Sequence, residues 1–169
     1  MKLFRRKGKN EAAAAPEPVY EPLDTVSFRD AVISALKLRC PEDPELLKPL
    51  ELAYLGDNVY ETINRLLAVT GPGRSMAEIH RASTERARAE SQAKIAESLQ
   101  DVFTEEERKI YLRARNAHVG TRTRSASSGE YHKATGLEAV FGFLYLQGRY
   151  DRIAWLFRTG AEKAGISLR

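Results

Sequence analysis

Leu50-Glu51-Leu52-Ala53-Tyr54-Leu55-Gly56-Asp57-Asn58-Val59-Tyr60-Glu61 is the stretch whose reading decides the fold. Leu52, Leu55, Val59, Ile63 and Leu66 recur at three- and four-residue steps, which places them on one face of an α-helix. Ala53, Tyr54 and Tyr60 carry the apolar surface round to a second side. A helix apolar on two sides serves two neighbours, such as its own core and a partner subunit. Gly56 costs roughly 1 kcal/mol of helix propensity relative to Ala, so a close packing contact is expected to offset it. Asp57 is the exception in this setting, because a carboxylate among apolar groups needs a cation, hydrogen-bond donors or a proton.

Outward from there, Ala134-Thr135-Gly136-Leu137-Glu138-Ala139-Val140-Phe141-Gly142-Phe143-Leu144-Tyr145-Leu146 has the same character. It is a helix-length apolar run with one carboxylate, Glu138, between glycines. If the two helices cross near their glycines, Asp57 and Glu138 approach closely enough to share a divalent cation. Read singly, each acid is equally an ordinary capping or solvent-facing residue, and the residues alone leave both readings open.

The stretch Leu52–Glu61 resembles the signature helix of ribonuclease III domains in the form carried by the Mini-III ribonucleases. Tyr131-His132-Lys133-Ala134-Thr135-Gly136-Leu137-Glu138-Ala139, running on to Leu146, is similar to that family's second catalytic helix. Order and spacing match, and the similarity covers about Leu46 to Phe157. The resemblance implies an all-α helical bundle that pairs as a homodimer through the signature helix, with Ala53, Tyr54 and Tyr60 at the interface. It implies that Asp57 and Glu138 are the catalytic metal ligands, holding Mg²⁺ with Mn²⁺ as a substitute. It implies cleavage of double-stranded RNA to 5′-phosphate and 3′-hydroxyl ends, in maturation of precursor large-subunit (23S) ribosomal RNA in a bacterial cytoplasm. A ribosomal protein is a possible further partner. Full-length ribonucleases III have extra carboxylates seven and four residues before the aspartate and three before the glutamate. Leu50, Ala53 and Thr135 stand there, as in the Mini-III pattern, which leaves fewer ligands for a second metal.

A length of 169 residues suits one domain, and a net charge of +4 permits a polyanionic partner without requiring one. The single cysteine, Cys40, excludes an internal disulfide. No apolar run nears the ~20 residues of a membrane span. Residues 1–26, basic and then rich in Ala, Pro and Glu, read as a disordered tail, with residues 27–169 as the folded domain. Ser27 is an expected N-cap for a helix to about Arg39 that buries Ala31, Val32, Ala35 and Leu36. Pro49 suits the first turn of the signature helix, which should end near Val69 before Gly71-Pro72-Gly73. Ser75-Met76-Ala77-Glu78 and Thr104-Glu105-Glu106-Glu107 are capping boxes. Between them, Ile79 to Leu99 reads as a long or slightly broken helix with a solvated face of mixed charge. A last helix over 149–158 should bury Ile153, Trp155, Leu156 and Phe157, and no double-stranded-RNA-binding domain is expected after it.

Arg115 to Glu130 reads as a Gly/Ser/Thr-rich loop with lopsided charge. Arg115, His118, Arg122, Arg124 and Lys133 are its candidate RNA contacts, since cations beside an acidic site neutralise phosphates without reading sequence. The resemblance supports this, the comparable loop there facing the duplex. His80, His118 and His132 have no zinc-ligand spacing, and no Walker or dinucleotide-binding motif is present. Two other function classes remain: a catalytically silent module of the same fold that binds structured RNA or a ribosomal particle, and a plain helical scaffold. The presence of both Asp57 and Glu138 favours the enzyme.

Overall fold

A computed structural model describes residues 27–71, 75–117 and 128–168. The expected tail, and His118, Arg122 and Arg124, lie outside the described residues. Those residues form seven α-helices and one 3-10 turn, with no strand among them: α1 Phe28–Ala35, the turn Pro44–Leu46, α2 Pro49–Val69, α3 Met76–Ala87, α4 Ala89–Ser98, α5 Glu105–Arg115, α6 Ser128–Leu146 and α7 Tyr150–Lys163. The chain divides into two compact units, one to Arg39 and one from Cys40.

In the first unit, Ser27 caps α1 by accepting from the Asp30 N–H at 3.2 Å. The helix stops earlier than expected, because Lys37 takes a left-handed φ of 51°. No α1 residue is fully buried, and Ala31, Ala35 and Leu36 are exposed, contrary to the expected buried side.

In the second unit α6 is the hub. From Ala134 on it is apolar on almost every side, as suits a central helix, and it packs against α2, α4, α5 and α7. Ala134, Leu137, Ala139, Val140, Phe141, Phe143 and Leu144 are all buried. Tyr60, Phe141 and Phe157 form the aromatic centre, with ring centroids 5.1–6.5 Å apart.

The buried stripe of α2 is not the one that the large apolar residues mark. It runs through Leu52, Ala53, Gly56, Tyr60, Asn64 and Ala68, while Leu55, Val59 and Ile63 are half-buried and Leu66 is exposed. Small residues win this face because they let α6 approach. Asn64 is tolerated there because its amide donates to the Ser83 carbonyl at 3.0 Å and accepts from Arg86 Nε at 2.7 Å. Tyr60 donates its hydroxyl to the Arg86 carbonyl at 3.0 Å. Ala53 and Tyr60 therefore belong to the chain's own core, which corrects their assignment to a subunit interface. Of the three residues expected there, only Tyr54 is open, at 80% exposure.

Both capping boxes form. The helical run after Ser75 breaks at Arg88, whose extended ψ of 143° separates α3 from α4. Glu107 also ties α5 to α7: fully buried, it accepts from Arg152 Nε and Nη2, each at 2.8 Å. Burial would raise its pKa, but hydrogen bonds from Arg152 and the Thr104 N–H outweigh that and hold it low. Trp155 is 38% exposed beneath the Arg152 guanidinium, 4.6 Å from its ring centre, and is not the core residue expected. α7 runs on to Lys163 because Gly160 and Ala161 extend its buried face against α4.

Candidate active site

The two acids meet because two glycines let their helices touch. A Cβ on Gly56 would lie 1.7 Å from the Glu138 carbonyl oxygen, and one on Gly142 would lie 2.1 Å from the Leu52 carbonyl oxygen. No side chain fits either position, so the α2 and α6 backbones are in direct contact. Gly136 plays a different part, receiving the Tyr111 ring of α5. Asp57 follows the crossing residue on α2, and Glu138 is the crossing residue on α6.

Electrostatics record their proximity. Glu138 is half-buried, and its pKa is raised from 4.5 to about 7, by burial first and by the negative charge of Asp57 second; a hydrogen bond from Gln92 acts the other way. Asp57 is exposed, yet its pKa is also raised, by partial desolvation against the helix crossing and by the charge of Glu61 one turn on. Glu61 is itself held by Arg65, whose Nε donates to Oε1 at 2.6 Å. Among the described residues neither Asp57 nor Glu138 forms an ion pair with a cation, and no cluster of three acidic, His or Cys side chains surrounds them. Two hard oxygen donors with an unbalanced charge suit a small divalent cation that keeps several waters. The positions where further ligands would stand give none: Leu50 is apolar, Ala53 is buried, and the buried Thr135 donates to the Tyr131 carbonyl at 2.9 Å.

The basic residues separate. Arg113, part of the same charge run, donates to the carbonyls of Glu45 at 2.7 Å and Leu47 at 3.1 Å, so it fastens the 3-10 turn to α5. Arg115 lies at the end of α5, its Nε 3.2 Å from Asn116 Oδ1 and its guanidinium 5.9 Å from the Tyr111 ring centre. Lys133, on the first turns of α6, is paired with Glu97 of α4. His132 is half-buried beside Tyr131, with no hydrogen-bond partner for Nδ1 among the described residues. Sequence reasoning missed Gln92. The available signal was its place in Ala89-Glu90-Ser91-Gln92-Ala93-Lys94-Ile95-Ala96, where Ala89, Gln92, Ala93 and Ala96 share one helix face and the amide is the only polar group on it.

Residues 50–149 match the family model described as Ribonuclease III domain. Among curated proteins, the chain is 45% identical over 112 residues to the Mini-ribonuclease 3 of Thermosynechococcus vestitus, covering 66% of this chain and 73% of that one. It is 35% identical over 120 residues to the Mini-ribonuclease 3 of Symbiobacterium thermophilum, covering 71% of this chain and 92% of that one. A crystal structure of a Fusobacterium nucleatum protein superposes with a TM-score of 0.65 at 29% identity, covering 70% of this chain and 94% of that chain.

Proposed function

The chain belongs to the ribonuclease III domain family, among the Mini-III endoribonucleases, and on that premise we propose that Asp57 and Glu138 hold Mg²⁺ for hydrolysis of double-stranded RNA. The observation that carries this reading is the Gly56–Glu138 backbone contact, which brings two carboxylates together with no cation of the described residues paired to either. Held by Asp57 and Glu138, Mg²⁺, or Mn²⁺ in its place, would supply Lewis-acid charge for the phosphate and a more acidic water for hydrolysis. Asp57 and Glu138 bind and orient; neither is a nucleophile. Glu138 must first release the proton that burial favours. Arg115 and Lys133, with His118, Arg122 and Arg124 of the neighbouring segment, contact phosphates and fix the register of the duplex.

A-form RNA presents shape, phosphates and 2′-hydroxyls rather than readable major-groove edges, so the enzyme is expected to choose structure over sequence. Precursor large-subunit ribosomal RNA is the substrate we favour, with a ribosomal protein as a possible assistant. One site cuts one strand, and Tyr54, 80% exposed on α2, is where a second copy would pair along the signature helix. Sedimentation equilibrium reads this directly, and a monomer at micromolar concentration would remove the dimer.

Incubation of long double-stranded RNA with Mg²⁺ tests the function. The expected products have 5′-phosphate and 3′-hydroxyl ends on both strands. Tight RNA binding without any cut would instead identify the silent module.

A further inference from the structure

The two described cations proposed to contact phosphate, Arg115 and Lys133, are not equally available. Arg115 meets Asn116 Oδ1 and the Tyr111 ring, and no acid among the described residues pairs with it. Lys133 is ion-paired with Glu97 of α4. Nothing in α4 itself calls for that acid. The helix packs on α6 and α7 through a buried side made of Gln92, Ala93, Ile95 and Ala96, and the Glu97 side chain is left 55% exposed. Glu97 also stands in the last turn of α4, where a negative charge opposes the helix dipole. Among the described residues its side chain has one partner, Lys133, which lies 36 residues on in the second turn of α6.

We propose that Glu97 is an internal competitor for RNA phosphate: it occupies the Lys133 ammonium in the free protein, and a phosphate must displace it to make that contact. This rests on the reading of Lys133 as a phosphate contact. An ammonium is a point charge with several donors on a flexible stem, so it exchanges a carboxylate for a phosphate by small rotations. Exposed pairs of this kind are weak, so a duplex that brings many phosphates displaces Glu97 readily. Once displaced, the carboxylate faces a polyanion and repels it. Glu97 therefore lowers the affinity for RNA, and Lys133 contributes less to binding than its full charge would.

The test is a double-mutant cycle of Glu97→Gln and Lys133→Ala on the full chain, in an Asp57→Asn background so that the duplex stays intact. Binding to long double-stranded RNA is titrated against salt, and melting temperatures are recorded without RNA. Glu97→Gln keeps the shape of the side chain and removes its charge. It should tighten binding about two- to fivefold and steepen the log–log salt slope by about one unit, with the melting temperature of the parent. Lys133→Ala should weaken binding, and in that background Glu97→Gln should gain clearly less. Unchanged or weaker binding by Glu97→Gln would overturn the proposal, as would a lowered melting temperature, because the pair would then be a structural tie. An equal gain with and without Lys133 would also overturn it, since Glu97 would then act by its charge alone. Lys133→Ala without effect on binding refutes the reading of Lys133 as a phosphate contact, whereas a loss there with no change in Glu97→Gln refutes only the part given to Glu97.

Discussion

Glu138→Gln should stabilise the metal-free protein at alkaline pH, although it removes a group on which the proposed activity depends. Folding raises the Glu138 pKa from 4.5 to about 7, so between those values the folded state binds more protons than the unfolded state. Stability from this group therefore falls as pH rises through the window. Below about pH 4.5 both states are protonated and nothing is lost; above about pH 7 both are ionised and the whole penalty is present. A difference of about 2.5 in pKa corresponds to about 3 kcal/mol. The glutamine side chain has nearly the same shape and carries no charge to desolvate. At pH 8 in EDTA the variant should melt roughly 6–12 °C above wild type, for a chain of this size. At pH 4.5 the two should coincide. Scanning calorimetry at both pH values, reported as the difference between the two proteins, cancels every other titrating group. Adding Mg²⁺ should stabilise wild type alone. A variant no more stable than wild type at pH 8 would refute the buried, mutually repelling pair.

Three further outcomes are expected. Gly56→Ala gains roughly 1 kcal/mol of helix propensity, yet it drives a Cβ into the Glu138 carbonyl; a net loss of about 3 kcal/mol or more in urea titrations is expected, beyond the usual overpacking range. Cleavage at limiting Mg²⁺ should fall about tenfold per pH unit below pH 7, as Glu138 takes up its proton, and a rate independent of pH from 5 to 8 would contradict its place at the metal. Arg122→Ala with Arg124→Ala, in an Asp57→Asn background, should weaken binding to every duplex alike and flatten the log–log salt slope by about one unit or more; an unchanged salt titration would return that segment to a mere connection.

How far the sequence was legible depended on the range of the interaction. Helix starts were plain, because Ser27, Ser75 and Thr104 act through hydrogen bonds to residues three positions on. The pairing of the two acid-bearing helices was legible from glycines in runs otherwise rich in large side chains. The buried side of α2 was misread: counting large apolar residues favours Leu55, Val59, Ile63 and Leu66, whereas close helix contact selects Ala53, Gly56 and Ala68. Tyr60 turned inward for a related reason, since its hydroxyl reaches the Arg86 carbonyl and its ring completes the aromatic centre. Trp155 is held outside by a cation that sequence spacing gave no reason to pair with it. The Glu107–Arg152 pair was hidden, because each member depends on a partner about 45 residues away.

The central claim is that Asp57 and Glu138 act together on one divalent cation. Its most direct test is cleavage of long double-stranded RNA at matched Mg²⁺ by wild type, Asp57→Asn and Glu138→Gln, each shown to be folded by circular dichroism. Mg²⁺-dependent cutting by wild type and losses of at least about a thousandfold in both variants are predicted, on the order of what removing essential charge stabilisation costs. Cleavage within tenfold of wild type by either variant would contradict the claim.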